Sequence, residues 1–118
     1  MNASVAEGFA KELAAPTPGS AFFAAVDDDG TPLGLLSLRT DHDYFTKEPI
    51  AHISDIVVAR AGEGRGVGRA LLAFAEQWAT DGDYRLMSLN VFAGNDRARR
   101  IYEEAGYEVE WTRMVKRV

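Results

Sequence analysis

Residues 57–72 of this chain read VVARAGEGRGVGRALL. An apolar strand pattern passes through the alternating glycines Gly62, Gly64, Gly66 and Gly68 directly into an apolar helical pattern. Glycine tolerates positive φ and has no side chain that would keep a ligand away from the backbone. A helix that begins on such a loop directs unpaired N–H groups and the positive end of its dipole at whatever lies there. The stretch therefore predicts a strand–loop–helix unit that binds a phosphate or pyrophosphate, as in a nucleotide-like ligand.

Two common phosphate-binding signatures are excluded. A P-loop requires a Gly-Lys dipeptide, and the chain contains none. The dinucleotide fingerprint Gly-x-Gly-x-x-Gly/Ala fails as well, because its last position falls on Val67, Arg69 or Leu71. A plain tight turn remains the alternative interpretation, although four glycines within seven residues exceed what a turn requires.

The composition narrows the possible partners and the compartment. With 118 residues the chain is expected to form one domain, and 13 basic against 18 acidic residues give a net charge of −5. This balance argues against nucleic acid as the main partner and is compatible with an amine-bearing substrate. The absence of cysteine excludes disulfides and thiolate nucleophiles, and His42 and His52 lack a metal-ligand cluster, so no metal is expected. No apolar stretch reaches membrane-spanning length and no signal peptide is recognisable, so we expect a cytoplasmic protein without a membrane partner.

The hydrophobic pattern predicts an α/β (α+β) fold with a hairpin-rich first half and one β-α-β unit in the second. A polar loop over 42–49 joins two of the strands. The expected elements are a helix Val5–Leu13, strands Ala21–Val26, Pro32–Leu38 and Ile50–Val58, a helix Val67–Ala79, a strand Leu86–Phe92, a helix opened by Asn95 and a final strand Tyr107–Val115.

A second motif, at residues 89–107, reads LNVFAGNDRARRIYEEAGY. Asn95 suits an N-cap, Tyr102 follows seven residues later on the same helix, and Gly106 suits the position just past its end. Together with the glycine stretch, this segment resembles the GNAT superfamily of acetyl-coenzyme A-dependent N-acetyltransferases. The two motifs cover 53–79 and 86–110, in the family's order and at its spacing. The resemblance implies a mixed, mostly antiparallel central sheet that is flanked by helices and splayed at the acetyl-CoA site.

The resemblance also implies a role for each matching position near the thioester. Backbone groups of Ile56 and Val58 are expected to pair with the pantetheine arm as an added strand would. An amide near Val57 is a candidate donor to the tetrahedral oxyanion. Asn95 is expected to contact the pantetheine region, and Tyr102 to protonate the departing thiolate. The alternative for Tyr102 is a core aromatic residue on the apolar face of its helix.

The implied pyrophosphate site lies on the loop between the strand and the helix. One departure from the family falls here, since the loop usually begins with Arg or Gln where this chain has Glu63, so a phosphate contact is either missing or supplied by Arg65. Arg97 or Arg100 could also reach phosphates, but Arg97, Arg99 and Arg100 are more often a solvated helix face that pairs with Glu103 and Glu104. The expected cofactor-binding residues of the loop are Glu63, Gly64, Arg65, Gly66, Val67, Gly68 and Arg69.

Transfer to an amine needs a base, because a free alkylamine has a pKa of roughly 10 and must lose its proton before it attacks. Asp55 stands on the strand where the family often has an acidic residue, and its alternative is an ordinary solvent-facing strand residue. Ser54 and His52 are weaker candidates as relays, and His52 is interpreted as structural. The segment 42–45 could line an acceptor pocket or be a plain loop.

The N-terminal region departs most from the family pattern. One helix, Val5–Leu13, stands where a strand and two helices are usual, so the first strand is predicted to be absent. An uncovered sheet edge is a liability, and on this ground we expect a partner subunit, most simply in a homodimer, or a rearranged segment to cover it.

These observations predict an enzyme that moves acetyl from acetyl-CoA directly to a primary amine of a small molecule or peptide. A covalent thiol intermediate is excluded because there is no cysteine. The alternative is a non-catalytic acyl-CoA-binding or regulatory module, and a second is an interaction protein that keeps the fold without the ligand. The acceptor and the acyl-chain preference stay open.

Overall fold

A single five-stranded sheet organises the part of the chain that the computed structural model describes, residues 10–13 and 19–118. The strands stand in chain order; the first four are antiparallel neighbours and the last pairs parallel with the fourth. The predicted mixed, mostly antiparallel α/β sheet with flanking helices is therefore confirmed. The elements are β1 (Ala10–Leu13), β2 (Ser20–Val26), β3 (Pro32–His42), β4 (Pro49–Val58), α1 (Val67–Asp81), β5 (Met87–Leu89) and α2 (Asp96–Glu104).

The core lies between one face of the sheet and α1. Alternate residues of β2 are buried, as expected for a strand with one face covered, and the Phe23 ring meets Phe74 of α1 edge-on at 4.7 Å between centroids. Leu36 and Leu38 of β3 and Leu71 of α1 are almost completely buried in the same cluster. Burial of each such side chain stabilises the fold by about 1.5–3 kcal/mol. This packing fixes α1, and with it the loop that precedes α1, against the sheet.

The connection from β4 to α1 is pressed against the beginning of β3. The Ala59 N–H donates to the Leu33 carbonyl oxygen at 2.8 Å, and a short 3-10 turn over Arg60–Gly62 follows. At Gly62 a Cβ atom would stand 2.3 Å from the Leu33 carbonyl oxygen. The first glycine of the run is therefore needed for close approach of two backbones.

Gly62→Ala is expected to destabilise the protein by about 1–3 kcal/mol, because the backbone of β3 has to move away from the new methyl group. Urea unfolding of the variant measures this loss. Gly68→Ala is the matched control, since a Cβ there meets only Val58 Cγ2, at 3.5 Å. That variant should keep or slightly gain stability, because alanine favours a helix by up to about 1 kcal/mol over glycine. Equal losses in the two variants would contradict the close-approach account.

The N-terminal prediction is wrong where the structure describes it. Residues 10–13, expected at the end of a helix, form β1, which pairs antiparallel with β2 from Ala10–Ala25 to Leu13–Phe22. The rest of the predicted helix lies outside the described residues. Three apolar residues at helical spacing are a weak signal, and the hydrogen-bonding edge of β2 overrides it. A first strand therefore exists, and β1 is a segment of this chain that covers the edge of β2, which is the second of the two alternatives predicted.

The C-terminal prediction is also wrong. Residues 107–118 form no strand, and Val109, Trp111 and Val115 are exposed despite their alternating pattern. The predicted strand Leu86–Phe92 is reduced to the three residues of β5, which offers too short an edge for a regular ladder.

Across the described ranges, no helix combines the length and apolar character needed to cross a membrane.

Candidate active site

The sheet opens between β4 and β5. Their parallel pairing is limited to Ala51–Met87, His52–Ser88 and Ile53–Leu89. Beyond that point β4 continues beside β3 to Val58, whereas β5 has ended. The predicted splay of the sheet is thus present.

A β-bulge accounts for the position of the opening. Ser37 of β3 lies opposite Asp55 and Leu38 opposite Ile53, which leaves Ser54 as an extra residue in β4. A bulge bends its strand and increases the local twist, and bulges are frequent beside functional sites. The bulge lies one residue after the last parallel pair, so it coincides with the point where the pairing of β4 with β5 ends.

The backbone of β4 beyond the bulge has hydrogen-bonding groups that face the gap. Since the Ala59 N–H donates to β3, the alternation of an extended strand turns the peptide groups of Val58 and Ile56 the other way. Those of Val57, which lies opposite Leu35, face β3. An amide donor near Val57 must therefore come from one of its two neighbours. The free edge has the geometry that accepts an extended chain as an added strand.

A cleft of about 220 Å³ fills the gap between the two strands and α2. It brings together Asp55, Ile56, Asn95 and Tyr102, which the sequence predicted from two separate motifs. Asp55 is the charged side chain among its lining residues, and Val57, Val58 and the glycine loop lie outside the lining. The lining consists of Ile53, Ser54, Asp55, Ile56, Leu89, Asn90, Val91, Phe92, Asn95, Ala98 and Tyr102.

Sequence reasoning assigned no site role to several residues of this lining, among them Asn90 and Phe92. The Phe92 side chain is 89% exposed while its carbonyl accepts a hydrogen bond from the Asn95 N–H at 2.9 Å. Because Phe92 lines the cleft from a hydrogen-bonded turn, its exposed ring is a candidate contact for a molecule bound there. The available signal was its position just before Gly94-Asn95, at the end of an apolar strand.

Asp55 presents its carboxylate to solvent at the bulge. The hydroxyl of Ser37, a residue that is only 4% exposed, donates to Asp55 Oδ2 at 3.3 Å. The bulge therefore leaves Asp55 on the strand face that it shares with Ser37, with one side chain holding the carboxylate in position. An exposed carboxylate at the rim of a cleft can accept a proton from a substrate or from water.

Tyr102 is half-buried in the last turn of α2. That helix ends in a Schellman motif, in which Gly106 N–H donates to Glu103 O and Tyr107 N–H donates to Tyr102 O, both at 3.0 Å. The motif brings the rings of Tyr102 and Tyr107 together edge-to-face, with centroids 6.1 Å apart. Burial raises the pKa of the Tyr102 phenol above its usual value. Tyr102 therefore carries its proton at neutral pH.

Tyr107 holds the Tyr102 end of α2 in place. Its hydroxyl approaches Met87 Sδ at 3.6 Å, and burial, together with the charge of Glu76 and the neighbouring Tyr102, raises the pKa of Tyr107 to about 12. Tyr107 is not among the residues that line the cleft. It anchors the end of α2 against β5.

Asn95 is the N-cap that the sequence predicted. Its Oδ1 accepts a hydrogen bond from the Ala98 N–H at 3.2 Å. Because the carbonyl oxygen caps the helix, the side-chain NH₂ group is what Asn95 can offer as a donor to a molecule in the cleft.

The glycine loop has the backbone conformation predicted for an anion site. Gly64 and Gly66 adopt φ of 72° and 74°, and Gly66 is the N-cap of α1 without a side-chain cap. The first N–H groups of α1 have no partner within the helix. A Cβ at Gly64 would meet nothing within 4 Å, so the surface above the loop is open. The loop therefore fits a phosphate-bearing group held by backbone amides.

Two basic side chains of the loop and the first turn of α1, those of Arg65 and Arg69, already have acidic partners. Arg65 Nη1 lies 3.1 Å from Asp27 Oδ2, and Arg69 Nη1 lies 3.5 Å from Glu104 Oε2. Glu63 is exposed. Of the charged residues on α2, Arg99 pairs with Glu103 at 3.4 Å on the solvent face, and Arg97 and Arg100 are exposed there too.

The two histidines lie outside the cleft lining. His52 is buried, its Nδ1 lies 2.8 Å from the Ser88 hydroxyl, and burial together with the nearby Arg39 lowers the pKa of His52, so the ring is neutral at neutral pH. It links β4 to β5 at the middle of their three paired positions. His42 belongs to the β3–β4 hairpin, whose exposed Tyr44 and Phe45 contact each other edge-to-face. Within residues 10–13 and 19–118, no group of three or more His, Cys, Asp or Glu side chains could hold a metal ion.

A mixed sheet that opens beside a glycine loop and a tyrosine-bearing helix is the arrangement that the resemblance to GNAT proteins implies. The comparison with family models agrees, since the acetyltransferase (GNAT) family model matches residues 3–107. The chain belongs to the GNAT acetyltransferase family.

Two relatives that are named as N-acetyltransferases support the same family. An aminoglycoside N(6')-acetyltransferase type 1 of Stenotrophomonas maltophilia is 30% identical over 91 residues, which are 75% of this chain and 60% of that protein. An uncharacterised N-acetyltransferase of Methanocaldococcus jannaschii is 30% identical over 81% of this chain and 45% of its own length. This chain thus spans about half to three fifths of these relatives.

Solved structures show the same fold. An acetyl transferase structure from Pyrococcus furiosus has a TM-score of 0.78 and 32% identity over 84% of this chain and 66% of that chain. The aminoglycoside N-acetyltransferase AAC(6')-Iy in complex with CoA has a TM-score of 0.73 and 24% identity over 87% of this chain and 69% of that one. At 24% identity, the similarity to AAC(6')-Iy is evidence for a shared fold alone.

Proposed function

We propose that this protein transfers an acetyl group from acetyl-CoA directly to a primary amine. The observation that carries the proposal is the cleft where β4 leaves β5, because it joins a carboxylate, Asp55, to a protonated phenol, Tyr102. Acetyl transfer to an amine needs these two kinds of group, one to take a proton from the nucleophile and one to give a proton to the leaving thiolate.

The cofactor is proposed to lie along the free edge of β4. Ile56 and Val58 offer peptide groups to the amides of the pantetheine arm, and the side-chain NH₂ of Asn95 donates from the opposite wall. The amides of the glycine loop hold the pyrophosphate. Acetyl-CoA supplies the thioester carbonyl, and a strand amide next to Val57 donates a hydrogen bond to its oxygen as negative charge develops there.

Asp55 is proposed as the base. A protonated alkylamine first loses its proton, directly or through water, to the carboxylate. The amine nitrogen then forms a bond to the thioester carbonyl carbon while the carbon–sulfur bond breaks. The electron pair of that bond leaves on sulfur, and Tyr102 donates its phenolic proton to the thiolate. The nitrogen, which is positively charged once the new bond has formed, loses a second proton to water, so that a neutral amide and a thiol are the products. The phenolate then regains a proton from solvent, and Asp55 releases to solvent the proton that it took from the ammonium group.

The acceptor is proposed to be a cationic small molecule with a primary amine. Among the described residues that line the cleft, the one charged side chain is the carboxylate of Asp55 and none is basic, which favours an ammonium ion over an anionic substrate. Relatives that are named aminoglycoside N-acetyltransferases support amines of that type as the first candidates.

The test is thiol release from acetyl-CoA in the presence of an amine panel that comprises an aminoglycoside, a linear polyamine, an arylalkylamine and an amino acid. The matched control for each amine is its N-acetylated form. Amine-dependent thiol release with mass-spectrometric detection of the acetylated product is expected for at least one class. Binding of coenzyme A without release for any class would instead identify a non-catalytic acyl-CoA-binding module, and absence of binding would reject both functions.

A further inference from the structure

The turn between β2 and β3 lies directly beside the glycine loop. The Gly30 N–H donates to the Asp27 carbonyl at 2.9 Å and closes this turn. The beginning of β3 then holds the loop, since Leu33 accepts a hydrogen bond from Ala59 and contacts Gly62. Arg65 reaches from the loop to this turn and forms the 3.1 Å ion pair with Asp27.

Asp27 is the fixed member of the pair. Its N–H donates to Thr31 O at 2.9 Å, and its own Oδ1 accepts from the Asp28 N–H at the same distance. Arg65 stands between Gly64 and Gly66, both at positive φ, and its side chain is 36% exposed. The guanidinium can therefore change partners without disturbing packed elements, whereas the carboxylate stays where the turn holds it.

The pair lies at the part of the loop that is open to an anion. Arg69, the other basic residue of the loop and the first turn of α1, is paired with Glu104, and Glu63 adds a negative charge. A phosphate group that gains a guanidinium contact from Arg65 or Arg69 has to take it from a carboxylate. Phosphate binds guanidinium with charge-assisted and often bidentate geometry, so the exchange is feasible.

We infer that Asp27 competes with the phosphate groups of acyl-CoA for the Arg65 guanidinium and thereby weakens the affinity of the glycine loop. This inference rests on the proposed function, because it assigns a regulator of affinity to the same cofactor site. The hydrogen bond from Arg65 also lowers the pKa of Asp27, which keeps the carboxylate charged and able to compete at neutral pH.

The test compares two variants that remove the same charge from the same turn. Asp27→Asn removes the competing carboxylate, while its side-chain oxygen can still accept the Asp28 N–H and preserve the turn. Asp28→Asn is the control, because Asp28 is exposed and its side chain makes no ion pair among the described residues. Calorimetric titration with coenzyme A should give a Kd about two- to fivefold lower for Asp27→Asn than for wild type, the range expected of an exposed ion pair. Asp28→Asn should give a smaller decrease.

The Arg65→Gln background separates competition from general repulsion. In that background Asp27→Asn should change the Kd no more than Asp28→Asn does, because there is no guanidinium to release. An Asp27→Asn variant that binds coenzyme A no more tightly than Asp28→Asn, or more weakly than wild type, overturns the inference and leaves the proposed function intact. A wild-type protein that does not bind coenzyme A rejects the proposed function itself.

Discussion

Tyr102→Phe is expected to lower kcat for amine acetylation by about 10²- to 10⁴-fold, the usual contribution of a general acid. The ring still packs edge-to-face against Tyr107, so the end of α2 and the cleft are preserved. The Kd for coenzyme A should therefore stay at the wild-type value. Thiol release in steady state measures the first quantity and calorimetric titration the second.

Tyr107→Phe is the matched control for this experiment. It removes the same hydroxyl from the other member of the ring pair, outside the cleft lining. We expect a small loss of stability from the hydroxyl contact with Met87 and little change in kcat. Because burial raises the pKa of Tyr102, deprotonation of this residue should not lower the wild-type rate at any pH below about 10. Equal activity of Tyr102→Phe and wild type would remove Tyr102 from the chemistry.

Asp55→Asn is expected to lower kcat/KM at pH 7 by about 10²-fold or more, because the amine then loses its proton without a base in the cleft. The loss should shrink as the pH approaches the amine's own pKa of about 10, where the neutral amine is already abundant. A pH series of kcat/KM for wild type and variant measures this convergence.

Asp41→Asn is the control for the loss of one negative charge in Asp55→Asn. Asp41 is an exposed aspartate on β3, outside the cleft lining, where it pairs with Arg39 at 3.7 Å. Its removal changes the net charge equally and should leave kcat/KM within about twofold, as expected for an exposed ion pair of small energy. A loss for Asp55→Asn that stays constant with pH would indicate a binding role in place of proton transfer.

The glycine stretch and the Asn95–Tyr102 motif could be predicted from the sequence because their structure is determined locally. Positive φ at Gly64 and Gly66, a helix start at Val67 and an Asn95 cap follow from short-range sterics and hydrogen bonding. The resemblance implied that Asp55 and Tyr102 belong to one site, and in the structure both residues line the same cleft.

Features that depend on distant partners could not be predicted. β1 exists because the edge of β2 offers it a ladder, and residues 107–118 form no strand although they alternate. The bulge at Ser54 appears only when β4 is paired with β3, and it determines which peptide groups face the gap. Likewise, the partner of Arg65, Asp27, lies 38 residues earlier in the chain.

Amide hydrogen exchange with and without saturating coenzyme A tests the central claim, that the opening between β4 and β5 and the glycine loop form one cofactor site. The peptide groups of Ile56 and Val58 face the gap, so their amides should exchange rapidly alone and become protected with the ligand, together with the amides of Gly64 and of residues 66–69. The Val57 amide, which faces β3, should be protected in both states and serves as an internal control. A second groove lies between α1 and α2, and Leu72 and Ile101 are among the residues that line it. Protection confined to that groove would contradict the account, and so would the absence of any protection by a ligand that binds.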